Sequence, residues 1–159
     1  MLYLLFYLDK DRYVIRATDI NEIVPLVKLT RIPKTPDYVA GMFNYRGTAV
    51  PVIDMRRLAN SPSFRNIMST RVILVNYRTA FNESHVLGLI VEHVTDMVHL
   101  DDDSFVEQVV NTNESTYMSE VLTDQSGVIQ RIDVEKILPN HVRDILFVKD
   151  REKKVSRVM

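Results

Sequence analysis

The chain has 159 residues, enough for one domain or two small subdomains that share a core, and 46% of them are hydrophobic. Its 20 Lys and Arg residues nearly balance 21 Asp and Glu residues, which gives no support to nucleic-acid binding, since that usually needs a concentrated basic face. The absence of cysteine excludes disulfides, cysteine-ligated zinc and thiol nucleophiles, and is compatible with a reducing compartment.

The N-terminal third reads as short strands. Residues 2–8 and 12–17 flank a polar turn at 9–11 and predict a hairpin. The first run is too short to cross a bilayer, which takes about 20 apolar residues, and it lacks the features of a secretory signal. We therefore expect a cytoplasmic protein without direct membrane insertion. Residues 24–30 predict a further strand, at a sheet edge because Pro25 lacks a backbone donor.

A helical turn and a second hairpin follow. Pro36 favours a helical turn over 37–39, since its fixed φ suits a first helical position. Residues 42–45 and 48–55 predict two strands joined by a tight turn with Gly47 in it.

The second half continues this pattern. Its predicted elements are a loop over 60–69, strands over 71–77, 86–91 and 97–100, a polar loop or frayed helix over 101–116, a strand over 128–132, helices over 134–138 and 140–148, and a flexible charged tail over 148–159. Asn140 is expected to cap the last helix. Many short strands, with no long amphipathic helix, predict an all-β barrel or sandwich rather than a parallel α/β sheet.

The two halves of the chain resemble each other. Residues 20–24 and 94–98 share the order apolar, polar, acidic, apolar, apolar, and 53–54 and 132–133 are both Ile-Asp. Either this is a coincidence of β-rich sequence, or a unit of about 75 residues is duplicated and each copy closes a barrel without exposed edges. Only the first copy carries the turn Asn-Tyr-Arg-Gly at 44–47, which indicates an added role for that turn.

The stretch 38–56, YVAGMFNYRGTAVPVIDMR, resembles the signature of CheW-like domains, Y-V-x-G-φ-x-N-φ-R-G-x-φ-φ-P-φ-φ-D-φ-R with φ apolar. The similarity extends over residues 1–147. It implies two SH3-like five-stranded β-barrels packed side by side, the first over roughly 15–70 and the second over 71–147 with the N-terminal strand.

The resemblance also implies a function. CheW-like domains are non-catalytic adaptors without cofactors, and their partners are the cytoplasmic tip of a chemoreceptor and the regulatory domain of a CheA-type histidine kinase. The Leu-rich first strand and the Phe-Asn-Tyr-Arg-Gly turn resemble adaptors of surface-sensing (Wsp-type) pathways. The alternative from the residues alone is a small-ligand-binding or regulatory β-barrel.

Position by position, the resemblance implies the partner-binding residues Ile20, Glu22, Gly41, Asn44 and Arg46. An arginine at a turn presents a planar fork to carboxylates or carbonyls. If Glu22 lies across from it, the two form an ion pair that fixes the turn; such a pair is worth only about 0–1 kcal/mol when exposed, so structural and recognition roles both stay open. Gly41 is also explained as a backbone necessity and Asn44 as a turn former.

Four apolar residues near these positions are either groove walls for a helical partner or simply core: Ile20, Val24, Met42 and Phe43.

Other constellations predict no chemistry. His85, His93 and His99 lack the close spacing of a metal site, and the acidic run 101–103 lacks the spaced ligands and glycine of a calcium loop. Asp54 follows a strand as phosphoacceptor aspartates do, but the alternating α/β pattern of receiver domains is missing.

Overall fold

A computed structural model describes residues 1–79, 83–107 and 120–147, and its long strands form two sheets. Sheet I has the strand order β3-β6-β7-β5-β4, and sheet II has the order β8-β1-β2-β11-β10-β9. The elements are β1 (Leu2–Leu8), β2 (Asp11–Arg16), β3 (Ile20–Pro25), β4 (Val39–Tyr45), β5 (Thr48–Asp54), α1 (Met55–Leu58), β6 (Arg71–Arg78), β7 (Ser84–Val91), β8 (His93–His99), β9 (Val106–Glu107), β10 (Glu120–Asp124), β11 (Gly127–Arg131) and α2 (Asn140–Leu146), with 3₁₀ turns at Ala17–Asp19, Asp102–Ser104 and Val134–Lys136.

Five strands of sheet II correspond in order to the five strands of sheet I, as the predicted duplication requires, and β9 at the edge of sheet II has no counterpart in sheet I. In each, an edge strand (β3 or β8) pairs with an antiparallel hairpin (β6–β7 or β1–β2), whose second strand pairs in parallel with one strand of another hairpin (β5–β4 or β11–β10). The predicted overlay of 20–24 on 94–98 thus places β3 on β8. Asp54 ends β5, Asp133 lies two residues after the end of β11, and each carboxylate accepts a hydrogen bond from the backbone amide two residues further on.

Apolar residues pack in three layers. The central layer lies between the sheets and includes Phe6, Ile15, Ile73 and Leu89. A second layer fills sheet I and a third fills sheet II. In β6, alternate residues enter the central layer and the sheet I layer, so the strand is buried on both faces. This explains why 71–77 reads as a continuous apolar run rather than an alternating one.

The prediction of a strand over 24–30 is wrong in its bounds. β3 spans Ile20–Pro25 and pairs with β6, and Pro25 ends it because proline cannot donate to a ladder. Beyond Pro25, Thr30 alone makes a β-bridge, to Met42.

The predicted border between the subdomains at residue 70 also differs from the structure. Strands β6 and β7 belong to sheet I, with β3 to β5, whereas all of β2 belongs to sheet II. The chain passes from sheet II to sheet I at Ala17–Asp19 and returns at Glu92, the single residue between β7 and β8. Sequence periodicity does not report this crossing, because both sheets use the same short strands.

Three smaller predictions need correction. Pro139, not Asn140, is the residue before α2, and no side chain caps that helix; the Pro139 carbonyl accepts its first backbone hydrogen bonds. Strands β9 and β10 were not predicted because their residues are largely polar. The strand expected over 97–100 begins at His93.

The rest of the predicted loop, 108–116, and the tail 148–159 lie outside the described residues. Within the described ranges, no helix has the length and apolar run needed to span a bilayer.

A buried ion network joins the two sheets. Arg56, on α1 after sheet I, lies 2.7 Å from the Glu92 carboxylate and 2.9 Å from Asp9, in the β1–β2 turn of sheet II. Arg65 lies 2.7 Å from the other Glu92 oxygen. Desolvation alone raises the pKa of Glu92, but the hydrogen bonds and charges of Arg65 and Arg56 outweigh it and hold that pKa below its usual value.

We predict that Glu92→Gln lowers the free energy of unfolding at pH 7 by about 3 kcal/mol, since it leaves the buried Arg56 charge partly uncompensated. Because the folded-state pKa of Glu92 is depressed, its contribution is complete above the unfolded value of about 4.3 and declines as the pH falls below it. Urea unfolding from pH 7 to pH 3 should show the two proteins converging in the acid range. The exposed control Glu107→Gln should stay within about 0.5 kcal/mol of wild type throughout; a constant gap for Glu92→Gln would contradict the charge argument.

Candidate partner-binding site

The β4–β5 hairpin closes through a rigid two-residue turn. Arg46 and Gly47 both have positive φ, 52° and 86°, and the last strand pair is Tyr45 with Thr48. This is the type I′ geometry favoured in hairpins because its twist matches that of the strands. The Asn44 side-chain oxygen accepts a 2.8 Å hydrogen bond from the Gly47 amide. Asn44 therefore builds the turn.

Tyr45 connects this turn to β3. Its hydroxyl donates a short hydrogen bond to the Glu22 carboxylate, and that bond raises the pKa of Tyr45. Strands β3 and β4 are the two ends of sheet I in its hydrogen-bonded order. The Tyr45–Glu22 contact therefore joins the two edge strands at the C-terminal end of β4, while the Thr30–Met42 bridge pairs the middle of β4 with the segment that follows β3. The site lies on the seam of the first barrel.

Arg46 is exposed on this seam. Its guanidinium is 3.4 Å from Glu22, a long contact, and its side chain is 76% exposed. It also lies over the Tyr45 ring, 5.1 Å from the centroid. Because Tyr45 already holds the Glu22 carboxylate, most of the donor capacity of the Arg46 fork is directed to solvent.

Gly41 and Ile20 lie away from this cluster. Gly41 has a φ of 148°, and a Cβ there would approach the Thr30 carbonyl oxygen to 2.6 Å. Ile20 is half-buried and packs against the central layer between the sheets. Of the predicted site residues, the structure thus brings together Glu22, Asn44 and Arg46.

The apolar residues suggested as groove walls are partly buried inside the protein. Val24 and Phe43 are partly buried against the layer inside sheet I, and Met42 is half-buried.

Tyr45 is the residue of this candidate site to which sequence reasoning assigned no role. The signature asks only for an apolar residue at its position, so its hydroxyl received no role. The signal that could have identified it is the hydroxyl of Tyr45, a polar group at a position where the signature has an apolar residue.

The described residues contain no group of three or more His, Asp or Glu placed to hold a metal ion. The carboxylate of Asp54 is buried and fully engaged: it accepts from the amides of α1 and from the Ser63 hydroxyl and the Phe64 amide. It caps a helix and orders a loop, which leaves it unsuited to accept a phosphoryl group.

The structure thus defines an all-β domain of two paired sheets, with an exposed turn on the seam of one of them. The model of the CheW-like domain family matches residues 2–141, and the chain belongs to that family. Membership confirms the predicted adaptor function in chemotaxis-like signal transduction.

Individual relatives agree. The chain is 31% identical to the chemotaxis protein CheW of Klebsiella aerogenes over 142 residues, which cover 86% of this chain and 80% of that protein. It is 26% identical to CheW of Bacillus subtilis, with 85% of each chain covered. The crystal structure of the scaffolding protein TtCheW from Thermoanaerobacter tengcongensis matches with a TM-score of 0.74 at 23% identity, covering 87% of this chain and 94% of that one. This likeness confirms the predicted fold class of two SH3-like barrels.

We predict that Gly41→Ala lowers the free energy of unfolding by about 2–4 kcal/mol, because it combines a left-handed backbone with a clash against Thr30. Gly47→Ala is the matched control in the same hairpin, since nothing lies within 4 Å of its added Cβ, and it should cost about 1 kcal/mol. Denaturant unfolding of both variants measures the difference. Equal losses would mean that the close approach to Thr30 is not what requires glycine.

Proposed function

We propose that the protein couples the cytoplasmic tip of a chemoreceptor to the regulatory domain of a CheA-type histidine kinase, without catalysis and without a cofactor. The observation that carries this proposal is the Arg46 fork, which is 76% exposed on a rigid turn. A guanidinium forms two parallel hydrogen bonds to a carboxylate, or bonds to free carbonyls at the end of a helical hairpin.

The turn favours recognition because little freedom remains to be lost on binding. Asn44 fixes the Gly47 amide, and Tyr45 fixes Glu22, so the backbone beneath Arg46 is ordered before a partner arrives. Preorganisation of this kind raises affinity by reducing the entropy lost in the complex. Glu22 and Asn44 then support the turn rather than form most of its contact surface, and Ile20 and Gly41 contribute through the fold around it.

An adaptor of this kind acts through coupling free energy. Holding the kinase domain beside the receptor lets a receptor shift change the kinase equilibrium, and the same coupling makes each partner strengthen the binding of the other. We expect the protein to work in the cytoplasm, where these receptor tips and kinases lie. The surface-sensing subtype remains a prediction from the opening strand and the 43–47 turn.

We predict that Arg46→Glu reduces binding to a receptor-tip fragment at least about tenfold, because it replaces attraction with repulsion at the exposed turn. The melting temperature should change little, since exposed ion pairs contribute only about 0–1 kcal/mol. A pull-down with a CheA-type kinase and the receptor fragment measures the loss of binding. An assay of receptor-dependent kinase activation measures its consequence. Lys10→Glu, an exposed charge reversal in the β1–β2 turn, is the control.

Binding of neither partner by the wild-type protein would sink the adaptor proposal and favour a small-ligand-binding barrel. A large fall in the melting temperature of Arg46→Glu would instead show that the residue is structural.

Tyr45→Phe tests whether the hydroxyl keeps Arg46 available. Without it, Glu22 is free to attract Arg46, so affinity for the receptor fragment should fall about threefold. Adding Glu22→Gln removes that competitor, and the double variant should regain most of the loss. A titration of the fragment against wild type, both single variants and the double variant measures this; no recovery in the double variant would contradict the assigned role.

A further inference from the structure

A groove with an apolar floor and a basic rim lies at the far end of β4 from Arg46. It consists of two neighbouring cavities of about 660 and 500 Å³, which share Ala40 and Phe64. The connection between β3 and β4 forms one wall, and the segment after α1 forms the other. The proposed site around Arg46 does not include this groove.

The floor of the groove is apolar and only partly covered. Leu26, Leu29, Ala40 and Phe64 are half-buried and pack on the layer inside sheet I. Val27 lines the groove with 43% of its surface exposed. The floor therefore offers apolar area that a partner side chain would remove from water.

The rim carries cations without acidic partners. Arg31, Lys34 and Arg57 line the larger cavity, and Lys28 lines the smaller one. All four are exposed. Among the residues that the structure describes, none of the four forms an ion pair, whereas most other arginines do.

Two carboxylates line the same groove but do not neutralise it. Asp54 is buried and engaged by α1 and the Ser63 loop. Asp37 is exposed, so four cations face one available carboxylate. Because the whole chain has a net charge of −1, this positive potential is a local property of the groove.

We propose that this basic groove binds an acidic, amphipathic segment of a partner protein, with its apolar residues on the floor and its carboxylates against the rim. Helical and extended segments of this kind dock into apolar grooves through a few spaced anchors. The concave shape disfavours a flat lipid surface, which would meet the rim but not the floor. A nucleic acid would pair with the cations and leave Leu26, Val27 and Leu29 uncovered.

The groove and the Arg46 turn are separate sites. Ala40 and Tyr45 lie five residues apart on β4, which corresponds to about 17 Å of extended strand. Loss of binding at one site therefore does not require loss at the other. The proposal for the groove can fail while the receptor–kinase proposal holds, and the reverse.

The test is fluorescence anisotropy with the full chain and a labelled helical peptide of about 18 residues, with Glu on one face and Leu on the other. The wild-type protein should bind this peptide and not its Lys-for-Glu counterpart. Arg31→Glu should weaken binding at least about tenfold, and Lys10→Glu, the same change of charge away from the groove, less than twofold. Val27→Ser should weaken it about threefold through the floor.

Arg46→Glu serves as the second control and should leave peptide binding unchanged. Equal losses from Arg31→Glu and Lys10→Glu would overturn the proposal, because binding would then follow net charge alone. Unaltered affinity in both Arg31→Glu and Val27→Ser would overturn it as well. Tighter binding of the wild type to phosphatidylserine vesicles or to single-stranded DNA than to the acidic peptide would assign the groove to another class of ligand.

Discussion

The relation between the two barrels depends on the charge of Arg56. The residue comes directly after sheet I, yet its guanidinium reaches the β1–β2 turn of sheet II at Asp9 and the crossing residue Glu92. Apolar packing between the sheets supplies most of the cohesion but is not directional. The buried charge of Arg56 needs a carboxylate beside it, since an uncompensated buried charge is costly. The network therefore fixes which parts of the two sheets meet.

The same logic applies within the first barrel at smaller scale. Its two edge strands, β3 and β4, are joined by the Tyr45–Glu22 contact at the C-terminal end of β4, and the segment after β3 is bridged to the middle of β4 through Thr30 and Met42. An unpaired edge would invite association with other strands. Closure by a side chain rather than a ladder leaves the turn accessible, so the seam serves both as a structural joint and as a surface from which Arg46 projects.

Sequence reasoning identified what short-range patterns encode. The hairpins, the tight turn at Arg46-Gly47 and the similarity of the two halves follow from alternation, glycine placement and spacing, and the structure has all three. Prediction from the sequence failed where the structure depends on contacts between residues that are distant in the chain. The assignment of β6 and β7 to sheet I depends on the crossing at Glu92, and the contact of Tyr45 depends on Glu22, 23 residues upstream. The end of β3 was misplaced because an apolar run continues past Pro25.

The stretch 38–56 divides into two kinds of residue when seen in three dimensions. Gly41, Asp54 and Arg56 act inside the protein: one permits a close backbone approach, one caps α1, and one joins the sheets. Arg46 alone projects fully from the turn. A single segment thus contributes an ion contact between the two sheets and carries the side chain that we propose for recognition. An adaptor that transmits a change in geometry needs this coupling, because a loosely attached turn would absorb the motion of a receptor instead of passing it on.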